Sequence, residues 1–299
     1  MTFSQAVLRA LLAFVGFVVI QIITGMLVPM KPVALPHIFQ WMLLSNAVVV
    51  TALSIVAVRT EWRGWKMGAA VASIPLTIAC VNLLEASVFL KDAPLGFGKI
   101  FLYTLISSAL SVPLWMLLFG KRDEGLPIEH YRPILAKSRG ERAWKFAVSD
   151  LSYVVVYLAN GMIIYPYVKD FYATQHLPSM GALVALQVTI RGPVFVLLCV
   201  GLTRMLGLPR LSGALAVGAV FTLLSGVAPL LMPNPFFPDS VRWVHFCEVT
   251  SENFVFGVIV PWLWASRHWQ VHDFYIKRPE TNRSAGGETY LNNGGEPVR

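Results

Sequence analysis

His245, Glu248 and Glu252 recur in the stretch HFCEVTSEN at a spacing that puts an imidazole and two carboxylates on one face of a helix. Asn82 and Glu85, again one turn apart, make a second polar stripe in another apolar stretch, and Arg191 stands alone in a third. These groups can handle protons and charge. A carboxylate or imidazole can take up and release a proton, whereas a guanidinium keeps its charge at any working pH and forks onto a carboxylate. Arg191 is therefore expected to pair with Glu252 or Glu85. Asn46, Gln187, Ser107, Ser108 and Ser111 can complete a hydrated cavity around them.

The cluster admits three uses. The leading one is a small-molecule or ion permease, or a solute-binding protein, with its site built from Asn82, Glu85, Arg191, His245, Glu248 and Glu252. The alternative is an intramembrane enzyme acting on a lipid-like or periplasmic substrate, and a non-catalytic scaffold or sensor stands third. His37, His176 and His245, with Glu85 and Glu248, offer nitrogen and oxygen donors of the kind that bind metals, but nothing in their spacing ties them together, and no metal site is assigned. The chain has no HExxH helix, GxSxG elbow, Walker A loop, aspartate-rich pair or double-glutamate motif. No cofactor, substrate or oligomeric state follows from the sequence.

The elements that must carry these residues are membrane helices. Hydrophobic residues make up 56% of the chain, charged residues 13%, and the mean hydropathy is +0.63. Eight apolar stretches occupy residues 10–29, 38–58, 67–90, 99–119, 146–168, 179–203, 211–232 and 243–265, each near the ~20 residues needed to cross ~30 Å of hydrocarbon. The first lacks a small-x-small cleavage site and reads as a retained helix.

Of the 24 lysines and arginines, only Lys31, Lys91, Lys99, Lys169 and Arg242 fall in one set of loops, Arg191 lies within a span, and the rest fall in the other set. Positive residues in short loops stay cytoplasmic, so both termini are expected inside an inner (plasma) membrane. The tryptophans Trp62, Trp65, Trp115, Trp144, Trp262, Trp264 and Trp269 gather near that same boundary as an interfacial belt. The net charge of +8 then reflects loop retention and contact with the lipid bilayer. Nucleic acid is not an expected partner, because no soluble basic domain is present. Cys80, Cys199 and Cys247 lie within or beside spans and read as packing residues.

The chain also repeats itself. Arg59, Gly68 and Ala69 match Arg204, Gly213 and Ala214 at one constant offset, Val112-Pro113 matches Val260-Pro261, and Leu35-Pro36 matches Leu177-Pro178. The expected fold class is therefore an all-α polytopic membrane protein with eight transmembrane helices arranged as two parallel four-helix repeats. Residues 1–119 form the first repeat, 120–145 a cytoplasmic linker, 146–266 the second repeat, and 267–299 a disordered tail. Small residues opening the third and seventh spans mark these as a candidate central pair. The charges break the symmetry, since Arg191 and Glu85 have no polar counterparts in the opposite halves and Glu248 and Glu252 match Ile100 and Thr104. Such charges are costly in hydrocarbon, about 2.5–3.5 kcal/mol each on insertion scales, and face a bundle interior.

Overall fold

Eight long helices account for nearly all of the described residues. A computed structural model describes residues 2–29, 37–90, 97–120, 138–175, 177–233 and 237–265, so His176, most of the linker and the C-terminal tail lie outside the described residues. The helices are α1 (Phe3–Leu27), α2 (Ile38–Arg59), α3 (Gly64–Phe89), α4 (Phe97–Phe119), α5 (Arg139–Tyr172), α6 (Met180–Leu206), α7 (Arg210–Leu231) and α8 (Asp239–Trp264). There is no strand among the described residues. The first seven are long and apolar enough to cross a membrane, which is the architecture of a helical membrane protein. α8 is as long as α3 but carries Asp239, Arg242, His245, Glu248, Glu252 and Asn253, and these polar residues are what separate it from the other seven.

Local chemistry sets the helix ends. Thr2 Oγ1 accepts a hydrogen bond from the Gln5 backbone N–H while Gln5 Oε1 accepts one from the Thr2 N–H, a reciprocal box that starts α1. Ser138 and Ser179 accept from the backbone N–H of Glu141 and Ala182 and so start α5 and α6. α5 is longer at both ends than its apolar stretch, taking up Arg139–Lys145 from the expected linker and running on to Tyr172. Gly207 closes α6 in the left-handed region, at φ 55°, where a glycine escapes the Cβ clash.

Two helices carry a widened turn. α6 makes a π-helical turn at Gln187–Arg191 and α7 makes one at Leu223–Val227, each followed two residues on by a proline, Pro193 and Pro229. A proline has no N–H and its ring collides with the carbonyl four residues back. One extra residue in the turn relieves that collision and keeps the helix continuous.

The packing is organised in two groups joined along a seam. α1 packs on α2 and α4, and α3 on α4; α5 packs on α6 and α8, and α7 on α8. Across the seam, α2 lies against the second half of α7, and α3 touches α6 and the widened turn of α7. The core is continuous through this seam, with Leu53, Met67, Trp115, Tyr153, Phe195, Phe221 and Phe256 almost wholly buried.

The small residues that open α3 and α7 pack mainly within their own group rather than on each other. An added Cβ at Gly68 would come 2.7 Å from the Val112 carbonyl oxygen of α4, and one at Gly218 would come 2.8 Å from Val258 Cγ2 of α8. Close backbone approach is what holds apolar helices together where lipid provides no hydrophobic drive, and here it joins α3 to α4 and α7 to α8.

Candidate functional site

A cavity of about 480 Å³ opens along the seam, and all eight helices contribute to its wall. It lies toward the ends of α1, α3, α5 and α7 and the starts of α2, α4, α6 and α8, the half of the bundle farther from the N-terminus. Asn82, Glu85, Arg191, His245, Glu248 and Glu252 all line it. The polar residues Asn46, Ser107 and Ser108 line the wall built from α2 and α4.

Arg191 is paired with Glu85. Its Nη1 donates to Glu85 Oε1 in an ion pair that joins α6 to α3, and Gln187, one turn before Arg191, donates from Nε2 to the same oxygen at 3.3 Å. The widened turn places both donors, because Gln187 and Arg191 are its first and last residues. On its other side the guanidinium lies over three rings, with Cζ 5.7 Å from the Tyr153 centroid, 5.5 Å from Tyr157 and 5.3 Å from Phe195. Aromatic faces attract a cation, so Arg191 is held between the Glu85 carboxylate and three rings, with its buried Nε left without a hydrogen bond. Gly192 makes room for the chain beside it, since a Cβ there would collide with Asp150 Oδ1 and approach the Gln187 carbonyl oxygen at 2.9 Å.

His245 is held at both nitrogens. Nδ1 is 2.6 Å from Glu248 Oε2, and Nε2 is 2.9 Å from the Tyr172 hydroxyl of α5. With an ionised Glu248 accepting from Nδ1–H, a neutral imidazole accepts the Tyr172 proton at Nε2; a charged one donates to the phenol oxygen instead. The three groups thus form a chain along which a proton can pass in either direction. His245 and Glu248 are buried, and Phe237 packs its ring 5.0 Å from the imidazole.

Glu252, one turn beyond Glu248, is only 1% exposed, and its Oε1 has no hydrogen-bond partner. The buried Tyr153 hydroxyl is close enough to interact with it, but neither completes a hydrogen bond in this geometry. Ser107 and Ser225 also line the cavity with buried, unpartnered hydroxyls, and Asn82 Oδ1 is unpartnered too. Asn253 lies next to Glu252 with both amide atoms unpartnered, and nothing in the structure explains it.

The residues expected to meet are therefore brought to one cavity, with Glu85 rather than Glu252 as the partner of Arg191. Gln21 and Tyr172 join the wall unanticipated. Gln21 accepts from Asn46 Nδ2 at 3.2 Å, and Tyr172 lies beyond the apolar limit of its span, at the point where a loop was expected. Ser111 turns away and donates to the Ser108 carbonyl. Among the described residues no group of three or more His, Cys, Asp or Glu is arranged to hold a metal ion; His176, one of the candidate donors, is not among them. No known family model, no curated protein and no solved structure matches this chain.

Proposed function

We propose that the chain is a small-solute permease or solute-binding protein of the inner membrane, with its site in the outer half of an eight-span bundle. The observation that carries this reading is Glu252, a buried carboxyl whose Oε1 has no hydrogen-bond partner, on the wall of a cavity large enough for a small solute. An unpaired charge there is costly, and a site that binds and releases a ligand or a proton leaves such a group unmatched between events.

Two parallel four-helix repeats fit the packing. The contacts α1–α2, α1–α4 and α3–α4 recur as α5–α6, α5–α8 and α7–α8, and the seam contact of α2 with α7 recurs as α3 with α6. A pseudo-twofold axis along the membrane normal relates such halves, and a cavity at their interface is the usual place for a solute site. The positive residues favour both termini inside, which sets the cavity on the external side. Tyr172, His245 and Glu248 then form a proton path from the mouth toward Glu252.

The test is reconstitution into proteoliposomes holding a pH-sensitive dye. Solute addition under an imposed pH gradient is expected to move protons in the wild type. Glu252→Gln should abolish that movement while retaining some solute binding. A wild type that neither moves nor binds any solute from a broad panel overturns the reading.

A second reading rests on one observation, the imidazole held between a carboxylate and a phenol, an arrangement that suits general base catalysis in an intramembrane enzyme. In that case His245→Gln and Glu252→Gln each abolish turnover of a lipid-like or periplasmic substrate, and no transmembrane flux is seen.

A further inference from the structure

The charges on the cavity wall do not balance. Among the described lining residues three carboxyl groups, Glu85, Glu248 and Glu252, face one guanidinium, Arg191, and no lysine. Arg191 is committed through Nη1 to Glu85 and lies against three aromatic faces, while its buried Nε makes no hydrogen bond. His245 is committed to Glu248. Arg242, the nearest other buried cation on α8, is engaged with Asp239 and with the carbonyls of Leu230 and Leu231. Glu252 is left over, buried and with no hydrogen bond at Oε1, and Ser225 and Ser107 carry unpartnered hydroxyls on the same cavity wall.

An ionised Glu252 is an acceptor without a donor, and each serine hydroxyl is able to accept as well as donate. An ammonium has three N–H donors and one positive charge, which matches a lone carboxylate on a wall that also carries hydroxyl oxygens. A bare metal ion would leave most of a 480 Å³ space unfilled, and a wall more apolar than polar suits a carbon body.

Resting on the permease or solute-binding reading and deepening it, we propose that the cavity takes a small organic cation with a primary ammonium, anchored on Glu252, with Glu248 one turn away and Ser225 as a further acceptor. The ammonium has two sources of the same chemistry, a free amine or the head group of an aminophospholipid.

The test uses the full chain in phosphatidylglycerol nanodiscs, titrated with n-butylammonium, n-butanol and butyrate at equal ionic strength, read by thermal unfolding and calorimetry. Only butylammonium is expected to bind and to raise the unfolding midpoint. Glu252→Gln should weaken it at least about tenfold, the loss of one charge-assisted contact. Glu252→Asp should retain part of the affinity. Should Glu252→Gln fail to purify as a single species, Ser225→Ala is the second variant, expected to weaken the same binding severalfold. Nanodiscs containing phosphatidylethanolamine separate the sources: competition with butylammonium there identifies the lipid head group, and unchanged affinity identifies the free amine. Equal binding of butyrate or butanol, or butylammonium binding untouched by every variant, overturns the inference. Butylammonium binding without uptake into proteoliposomes ends the permease reading and leaves this inference standing. Uptake of an anionic or neutral solute with no ammonium binding does the reverse.

Discussion

The carboxylate of Glu85 on α3 takes the guanidinium of Arg191 on α6, and this one ion pair ties the two groups of helices together across the cavity they share. Arg191 reaches it from a widened turn, over a floor of aromatic rings.

Removing either partner leaves the other charge buried and unmatched, so Glu85→Gln and Arg191→Ala are each expected to cost roughly 3 kcal/mol of stability in detergent. Arg191→Lys should recover little, because an ammonium cannot fork onto the carboxylate and lie over Phe195 together. The check is a double-mutant cycle with the exchange Glu85→Arg/Arg191→Glu, in which the double variant should be more stable than the sum of its singles predicts. Strict additivity would remove the pair as a structural tie.

Gly257 and Gly218 let α8 and α7 touch backbone to backbone, since a Cβ on Gly257 would come 2.8 Å from Gly218 Cα. Gly257→Ala should therefore separate the helices and cost about 1–3 kcal/mol. Gly201, where an added Cβ meets nothing within 4 Å, is the control. Gly201→Ala should be neutral or stabilising by up to about 1 kcal/mol, as helix propensity alone dictates. Thermal unfolding of the two variants side by side decides it.

Much of this arrangement is legible in the residues, and the rest is hidden for definite reasons. The positions of the long apolar helices follow from length and composition, which is why α2, α3 and α4 begin and end within a few residues of their expected limits. Gathering of Asn82, Glu85, Arg191, His245, Glu248 and Glu252 follows from the cost of leaving them in lipid. The partner of Arg191 is legible only as one of two carboxylates, Glu85 or Glu252, and the structure selects Glu85. Spacing along a helix gives depth but not the direction a side chain takes around the axis, and the extra residue of the Gln187–Arg191 turn rotates that direction by an amount no sequence period reveals. Tyr172 is missed because α5 continues past its apolar stretch, into polar residues that read as loop. The expected pairing of α3 with α7 through their small residues fails because two smooth helix faces can each find a neighbour in their own group, as Gly68 and Gly218 do.

Arg242 shows what a loop-charge count overlooks. It is 2% exposed, and it donates from Nη1 to the carbonyl oxygens of Leu230 and Leu231, the last residues of α7, while Nε and Nη2 hold Asp239 at 3.2 and 2.9 Å. It therefore closes the end of one helix from the first turn of the next. Arg242→Ala should leave those part-buried carbonyls without their donor and cost about 1–3 kcal/mol. Hydrogen exchange should rise first in α7 beyond the widened turn and at the start of α8. Uniform exchange throughout the bundle would contradict a capping role.

Tyr172 and His245 offer the sharpest separation between proton handling and packing. Tyr172→Phe keeps the ring against the imidazole, at a centroid distance of 5.8 Å, and removes only the hydroxyl that reaches Nε2. A chain that carries protons through this contact should lose about tenfold or more in proton-coupled flux with little change in unfolding temperature, since one hydrogen bond contributes only about 1 kcal/mol. His245→Gln should lose as much flux, because a carboxamide can replace one hydrogen bond but cannot take up a proton. The double variant should be no worse than either single, as expected of two members of one path. If Tyr172→Phe moves protons at the wild-type rate while His245→Gln does not, the imidazole works without the phenol, and protons reach His245 directly from water in the cavity.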